Sequence, residues 1–256
     1  MTRAEDVTLT EEFALRLEGV TRDFGGLRAV DGVALEVRPG ERRALIGPNG
    51  AGKTTLFNLI SGSLPVTAGT ITLFGRDVTR TAAHVRAAQG LARTFQITNL
   101  FADLTVLENC VLAVQALTPT RFAMLRPVGA FASLHARARA TLTSVGLGDV
   151  GDAVVKNLSH GEQRQLEIAL ALAGRPRVLL LDEPTAGLSP AESGLMAGLL
   201  ARLDPAITVL MIEHDMDIAL ELSARVTVLH YGRVIADGSR EAIRADPQVR
   251  EIYLGA

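Results

Sequence analysis

The chain reads Gly47-Pro48-Asn49-Gly50-Ala51-Gly52-Lys53-Thr54-Thr55 over one short stretch, which has the form G-x-x-x-x-G-K-T of the Walker A phosphate loop. An apolar run at 44–46 precedes it and is typical of a buried parallel strand. Residues 54–61 then space their apolar side chains as a helix does. A glycine-rich turn that only caps a helix is the alternative interpretation. The flanking strand and helix favour the phosphate loop, because this motif works where a strand passes into a helix.

The residue types of this loop predict its chemistry. Glycines let backbone N–H groups close around phosphate oxygens, and the amino terminus of the following helix adds positive potential. In such a loop the lysine bridges the β- and γ-phosphates of a nucleoside triphosphate, and the threonine hydroxyl binds Mg²⁺. The residues expected to contact the nucleotide are Asn49, Gly50, Gly52, Lys53, Thr54 and Thr55, with Thr54 also a metal ligand.

The composition is that of an ordinary globular protein. The chain has 256 residues, of which 48% are hydrophobic and 21% charged, enough to bury a large core in one large or two small domains. A net charge of −2 predicts no general attraction to nucleic acid. The single cysteine, Cys110, excludes an internal disulfide and a cysteine-rich metal cluster. It lies in an apolar helical pattern and is expected to be buried.

The amino-terminal segment lacks the pattern of a signal peptide, because Arg3, Glu5 and Asp6 interrupt it. No apolar run approaches the roughly 18 residues that a membrane-spanning helix requires. We therefore expect a soluble, cytoplasmic protein. Any association with a membrane is expected to be through a partner.

Two groups of strands are predicted. Three β-rich runs at 13–17, 33–37 and 70–74 are separated by short turns and predict a small antiparallel sheet. Further along, apolar strands at 178–182 and 207–212 alternate with helical segments and predict a parallel, three-layer α/β core. We expect a P-loop NTPase fold with a RecA-like core.

One long helical stretch interrupts this pattern. Residues 98–157 show no strand signal and are predicted to form a helical subdomain inserted into a core made of 10–97 and 158–256. The core is expected to end with a strand pair at 224–231 and 232–236. The whole chain, 1–256, is interpreted as a single domain.

Two helix starts are predicted by capping boxes, in which Ser or Thr is followed three residues later by Glu. One box begins at Thr105 within the helical stretch. The other begins at Ser189 and has Pro190 at the first helical position.

Two carboxylates follow a second buried strand. Residues 178–183 fit the Walker B pattern, with Asp182 and Glu183 at the carboxyl end of the strand. Ligands of open α/β sheets bind at that edge. We expect Asp182 to hold Mg²⁺, often through water, and Glu183 to polarise the attacking water. Two strand-end acids that merely face solvent are the alternative, which the phosphate loop disfavours.

A family resemblance enters at Leu158-Ser159-His160-Gly161-Glu162-Gln163, which resembles the L-S-G-G-Q signature of ABC proteins. His160 replaces the first internal glycine and Glu162 the glutamine. Residues 186–189 resemble the D-loop, with Ser189 where aspartate is usual. The remaining matches resemble the A-loop aromatic, the Q-loop glutamine and the switch histidine; they are Phe24, Gln96 and His214. In this order the matches identify the chain as similar to an ABC transporter nucleotide-binding subunit.

The resemblance implies roles for these residues. Phe24 would stack on adenine, Gln96 would hold Mg²⁺ and assist catalysis, and His214 would contact the γ-phosphate of ATP. Ser159 and Gly161 would meet the γ-phosphate held by the opposite subunit, so that ATP lies between two copies or between this chain and a paralogous ATPase. Each also has a structural interpretation: a core aromatic, a hydrogen-bonded histidine, and a capping box formed by Ser159 and Glu162.

Within the family the chain looks like the branched-chain amino acid importer ATPases. The residues that carry this likeness are 93–96, 99–101, the insertion around 117–131, 158–162 and 253–255. Importer ATPases for urea or short amides, and the lipopolysaccharide-export ATPase, share much of this pattern and are the alternatives. The likeness implies a bacterial importer with transmembrane permease subunits and a solute-binding protein as partners. It also implies a peripheral location on the inner face of the cell membrane.

Two other classes compete with transport. Soluble ABC ATPases of DNA repair, chromosome structure or translation carry a long coiled coil, zinc-binding cysteines or two cassettes, and this sequence has none of these. A nucleotide-binding module without turnover is the other alternative, against which Glu183 argues. In the family the groove that docks the permease lies near 96–107.

Overall fold

The computed structural model describes residues 12–94, 100–116, 118, 120 and 131–254. Its strands, in chain order, are β1 (Leu15–Phe24), β2 (Leu27–Val37), β3 (Arg42–Ile46), β4 (Ala68–Leu73), β5 (Arg76–Asp77), β6 (Leu91–Arg93), β7 (Val178–Asp182), β8 (Thr208–Ile212), β9 (Arg225–His230) and β10 (Arg233–Ser239). Its helices are α1 (Lys53–Ser61), α2 (Ala83–Ala88), α3 (Val106–Ala116), α4 (Ala132–Ser144), α5 (His160–Ala173), α6 (Pro190–Ala201), α7 (Met216–Leu222), α8 (Arg240–Ala245) and α9 (Pro247–Leu254).

The strands form two sheets. One is antiparallel, with four strands in the order β2-β1-β4-β5. The other has six strands in the order β10-β9-β3-β8-β7-β6, parallel except for the antiparallel pair β9–β10 at one edge. Every residue of β7 and β8 is buried, as expected for parallel strands covered on both faces. The predicted antiparallel sheet, parallel core and final strand pair are confirmed.

Several strand boundaries were predicted wrongly. β1 extends to Phe24 and β2 starts at Leu27, so the hairpin is much longer than the two short runs predicted at 13–17 and 33–37. Its register shifts between Leu17 and Asp23, and such bulges break the period-two alternation on which the prediction relied. The edge strand β6 was missed because three residues are too few to show a period.

The helix α1 lies between the two sheets and positions the phosphate loop. Four of its apolar side chains are buried in one cluster with residues from both sheets; they are Leu56, Phe57, Leu59 and Ile60. Its carboxyl end is held by Arg86, a buried guanidinium that donates to the Leu59 and Ile60 carbonyls at 2.7 Å each. This anchoring fixes the direction of the helix and therefore the position of the loop before it.

The helical stretch packs against the central sheet. The predicted capping box is confirmed: the Glu108 amide donates to Thr105 Oγ1 at 3.1 Å, and the Thr105 amide donates to Glu108 Oε2 at 2.7 Å. Cys110 is buried, as expected, and burial raises the pKa of its thiol to about 11. Thr105 forms an isolated antiparallel bridge with Val154, which brings the two ends of this stretch together.

The boundary of a helical subdomain at 157 stays a proposal. Helices α3, α4 and α5 share one apolar cluster with β7 and β8, so the packing is continuous across that position. None of the helices in the described ranges is long and apolar enough to cross a bilayer.

Candidate functional site

The phosphate loop joins β3 to α1 and depends on two glycines. Gly47 and Gly52 have φ angles of +152° and +100°. A Cβ at Gly47 would lie 2.1 Å from the Leu229 carbonyl oxygen, and one at Gly52 would lie 2.4 Å from that of Ala29. Side chains are therefore excluded at both positions. No side chain in the described residues caps the amino end of α1, so its N–H groups are available to a phosphate.

Lys53 is the first residue of α1, directly after this loop. Its Nζ donates to the carbonyl oxygens of Gly47 at 2.6 Å and Pro48 at 3.1 Å. Burial lowers the pKa of this ammonium, and the nearby negative charges of Glu183 and Asp182 oppose that shift. The side chain is thus a buried cation held close to two carboxylates, which is the electrostatic setting of a phosphate-binding lysine.

A cavity of about 570 Å³ opens above the loop. Eight predicted site residues line it: Asn49, Gly50, Gly52, Lys53, Thr54, Thr55, Glu183 and His214. Leu27, Ala29 and Ala51 complete the lining. The volume is within the usual range for small-molecule and cofactor sites. Leu27 and Ala29 were missed in the sequence because nothing local links the β1–β2 hairpin to the loop.

Glu183 and His214 meet in this cavity because β7 and β8 are parallel neighbours whose carboxyl ends lie side by side. His214 Nε2 is 2.6 Å from Glu183 Oε1. Glu183 has a left-handed φ of 50°, which is uncommon for a residue other than glycine. Its amide donates to the Ile212 carbonyl at 3.0 Å, which holds this conformation. The carboxylate is therefore placed by the backbone and by the imidazole together.

A second acid supports this turn. Glu213 is buried, and Thr185 donates to its Oε1 through Oγ1 at 2.9 Å and through the amide at 3.3 Å. Burial, to which the charge of Glu183 adds, raises the pKa of the Glu213 carboxyl above its ordinary value. Glu213 was not predicted as a site residue. Its only sequence signal is its place directly after β8.

Asp182 ends β7 and is 1% exposed. Its Oδ2 lies 2.9 Å from Arg93 Nη2, whereas Oδ1 has no hydrogen-bond partner in the described part of the chain. Oxygen atoms of a carboxylate and a hydroxyl are the ligands that Mg²⁺ prefers, and the exposed Thr54 hydroxyl is the second one here. Residues 12–94, 100–116 and 131–254 hold no group of three or more His, Cys, Asp or Glu suited to a metal. Mg²⁺ in phosphate sites needs only one or two protein side chains beside the phosphates, so these residues fit it.

The signature segment lies at the amino end of α5. Ser159 caps the helix and forms the predicted capping box with Glu162: Ser159 Oγ donates to Glu162 Oε2 at 2.8 Å, and the Glu162 amide donates back at 3.2 Å. The Gly161 amide donates to Glu192 Oε1 at 3.3 Å. The capping box at Ser189 is also confirmed and is closed by the same Glu192, through Oε2.

Ser159 and Gly161 line a separate small cavity of about 80 Å³. The residues around it are Ser159, Gly161, Glu162, Gln165, Glu192, Leu195 and Met196, none of which lines the cavity at the phosphate loop. Within one chain the structure therefore does not bring the signature residues to Lys53.

Two predicted residues fall outside this picture. Phe24 ends β1 and is 42% exposed, with the Arg22 guanidinium 4.6 Å from its ring centroid. It does not line the phosphate-loop cavity. Gln96 lies outside the described residues, so its predicted role stays a prediction.

Comparisons with known proteins agree with this geometry. A family model described as "ABC transporter" matches residues 30–186, and one described as "Branched-chain amino acid ATP-binding cassette transporter" matches residues 233–256. The chain is 40% identical to the "High-affinity branched-chain amino acid transport ATP-binding protein BraF" of Pseudomonas aeruginosa, over 94% of this chain and 97% of that protein. It is 41% identical to the "High-affinity branched-chain amino acid transport ATP-binding protein LivG" of Salmonella typhimurium, over 94% of this chain and 97% of that protein.

Solved structures give the same result. A nucleotide-free ATP-binding cassette from an ABC transporter matches with a TM-score of 0.83 and 31% identity, over 95% of this chain and 100% of that one. The ADP conformation of such a cassette matches with a TM-score of 0.83 and 30% identity, over 95% and 99%. A dimeric cassette in a post-hydrolysis state, bound to ADP and Pi, matches with a TM-score of 0.74 and 27% identity, over 88% and 98%.

Proposed function

The chain belongs to the ABC transporter family and is an ABC ATPase, and from this premise we propose that it drives import of branched-chain or other hydrophobic amino acids. The observation that carries the chemistry is the single cavity in which Lys53, Glu183 and His214 meet. The substrate class is supported by relatives described as branched-chain amino acid transport proteins, which match almost the whole chain.

ATP binding is assigned to the phosphate loop. Backbone N–H groups of the loop and of the uncapped start of α1 surround the β- and γ-phosphates, and Lys53 adds a charge-assisted contact. Thr54 and Asp182, with Gln96 from the family resemblance, would hold Mg²⁺. When bound, Mg²⁺ neutralises charge on the β- and γ-phosphate oxygens. Phe24 is proposed to contact adenine beside the exposed Leu27.

Hydrolysis is assigned to Glu183. Its carboxylate lies in the cavity that holds the phosphates, 2.6 Å from His214 Nε2. We propose that Glu183 accepts a proton from the attacking water, and that His214 orients the Glu183 carboxylate and contacts the γ-phosphate. The left-handed backbone at Glu183 aims the carboxylate, since the adjacent strand β8 holds its amide.

The second half of the site is assigned to another subunit. Ser159 and Gly161 lie in a cavity of their own, so ATP on Lys53 meets them only if a second chain supplies them. That chain is a second copy or a paralogous ATPase. Closure of such a pair on ATP, hydrolysis and reopening would then drive the permease subunits to which a solute-binding protein delivers the amino acid.

Docking of the permease is assigned to the segment near 96–107, of which the structure describes residues 100–107; this segment overlaps the start of the proposed helical subdomain 98–157. Phe101 lies in this segment with 59% of its area exposed, and its amide is held by Asn109 Oδ1 at 2.9 Å. An exposed aromatic on a rigid support is a typical anchor for a partner. We place the assembled protein on the inner face of the cell membrane.

The test is uptake of labelled leucine, urea and acetamide by vesicles that contain this chain with the permease subunits and solute-binding protein proposed as its partners. Phe101→Asp is expected to abolish uptake while the isolated subunit hydrolyses ATP as wild type does. Val85→Asp, on an exposed apolar residue of α2 that lines neither cavity, is the matched control for a new surface charge in the uptake assay. Full uptake with Phe101→Asp would remove the docking assignment, and urea uptake without leucine uptake would replace the substrate class.

A further inference from the structure

Arg93, the last residue of β6, joins three elements of the site. Its Nη2 lies 2.9 Å from Asp182 Oδ2, and the two side chains are only 6% and 1% exposed. Its Nη1 donates to Asn58 Oδ1 at 2.6 Å and lies 3.2 Å from Ser61 Oγ, both on α1. A guanidinium with partners on two sides in a buried setting has a fixed position, unlike the arginine of an exposed ion pair.

These contacts connect the two segments to which Mg²⁺ is assigned. Asn58 is four residues after Thr54 and therefore lies on the same face of α1, one turn further along. Asp182 lies at the end of β7. One guanidinium thus links the helix face that carries the hydroxyl ligand with the carboxylate ligand.

Arg93 also determines which oxygen of the Asp182 carboxylate stays without a hydrogen-bond partner among the described residues. Asp182 Oδ2 is held by the guanidinium, whereas the buried Oδ1 has no hydrogen-bond partner among the described residues. Buried polar atoms are nearly always paired, so an unpaired carboxylate oxygen indicates a position that a ligand or water fills. The adjacent residue strengthens the arrangement, because the Asp182 amide donates to Thr94 Oγ1 at 3.2 Å and the Thr94 amide to the Leu180 carbonyl at 3.0 Å.

We propose that Arg93 is a positioning residue for Mg²⁺·ATP, holding Asp182 Oδ2 so that Oδ1 alone is presented to the hydrated cation. The proposal rests on the proposed function, in which Asp182 and Thr54 hold Mg²⁺. Groups that orient a metal ligand typically change metal affinity by about 10- to 100-fold when they are removed. A purely structural ion pair would change protein stability without changing how strongly Mg²⁺ favours ATP binding.

The experiment measures ATP affinity of the full-length protein by calorimetry, once with Mg²⁺ and once with EDTA, and reports the ratio of the two. We expect Arg93→Gln to lower this ratio by about 10-fold or more, with the affinity for metal-free ATP unchanged. Arg93→Lys keeps the charge and one contact and is expected to restore part of the ratio. Asn58→Ala removes one support of the guanidinium and is expected to lower the ratio less than Arg93→Gln.

Arg43→Gln is the matched control. Arg43 is also buried and pairs with Glu41 at 2.7 Å and Asp237 at 2.9 Å, but it lies at the opposite, amino end of the parallel strands. It is expected to lower the melting temperature and leave the Mg²⁺ ratio as in wild type. If Arg93→Gln does not fold, Arg93→Lys and Asn58→Ala still give the expected order.

Two outcomes would overturn the role of Arg93: a ratio that stays as in wild type in all its variants, including through an equal loss of affinity with and without Mg²⁺, or tighter Mg²⁺·ATP binding. The last would mean that the guanidinium competes with the cation. A wild-type protein with no preference for Mg²⁺·ATP would instead refute the proposed function, and the inference with it.

Discussion

The amino ends of helices α1 and α5 differ in whether a side chain caps them, although both are proposed to contact the γ-phosphate of ATP. Helix α1 begins after Gly52 without a side-chain cap, at the edge of a cavity of about 570 Å³. Helix α5 is capped by Ser159, whose hydroxyl donates a hydrogen bond to Glu162. The Gly161 amide at the same helix end donates to Glu192. The first is open to an anion, and the second already holds two carboxylates from its own chain.

The difference predicts an order of binding. The backbone N–H groups of an uncapped helix start bind phosphate without displacing a side-chain cap. A capped start must exchange a carboxylate for the phosphate, which reduces the net gain. ATP is therefore expected to bind first at Lys53, and the signature segment of the second subunit is expected to join with a smaller contribution.

The largest expected effect comes from removing the charge at the open helix start. Lys53→Ala loses a charge-assisted contact worth on the order of 2–3 kcal/mol, so ATP affinity should fall roughly 100-fold and turnover should stop. Calorimetry with Mg²⁺ and ATP measures this. Arg177→Ala, which removes a cation beyond the phosphate-loop cavity, is the control. Normal affinity of Lys53→Ala would show that the open helix start does not carry the binding.

The next effect separates binding from hydrolysis. Glu183→Gln keeps the hydrogen-bonding shape beside His214 but removes the base, so hydrolysis should fall by at least about 100-fold while ATP still binds. ATP should then remain between two subunits, and light scattering should show an ATP-dependent dimer where wild type returns to monomer. Adding Ser159→Arg should abolish this association. A dimer that persists in the double variant would mean that the amino end of α5 does not contact the ATP of the other subunit. If the natural partner is a paralogous ATPase, the same measurement is made on a mixture of the two proteins.

The smallest effect concerns Glu192, which links the starts of α5 and α6. Hydrogen bonds from the Ser189 side chain and then from the Ser189 backbone hold the pKa of the Glu192 carboxyl below its ordinary value of 4.5. A group with a lowered pKa in the folded state stabilises the protein above its unfolded pKa, and this contribution is lost as the pH falls through the folded value. The melting temperature of wild type should thus exceed that of Glu192→Gln near neutral pH.

The same difference should shrink as the pH falls below 4.5. Melting curves of both proteins between neutral pH and pH 3 measure this, with Glu241→Gln, the exposed acid at the start of α8, as a second lowered-pKa reference. A difference that does not depend on pH would show that the Glu192 charge contributes nothing to the link between the two helices.

The candidate site was predictable to the extent that its residues follow strands. Glu183 and His214 each follow an apolar strand within two residues, after Asp182 and Glu213 respectively, and parallel strands place their carboxyl ends at one edge. The contact of Arg93 with Asp182 was missed because Arg93 belongs to a three-residue edge strand. The contact of Glu192 with Gly161 was missed because the capping box with Ser189 already explains a glutamate at that position. Phe24 was predicted from its place before the loop, yet Leu27 and Ala29 line the cavity.

The sequence by itself determined the features whose partners are near in the chain. The phosphate loop and the capping boxes at Thr105, Ser159 and Ser189 close hydrogen bonds over three to six residues, so local residue type and backbone geometry are sufficient. Tertiary structure decided the distant contacts: Arg93 with Asp182, 89 residues apart, and Gly161 with Glu192, 31 apart. Those pairs depend on strand order and on how α5 packs against α6, which no local pattern encodes, because many packings satisfy the same hydrophobic periodicity.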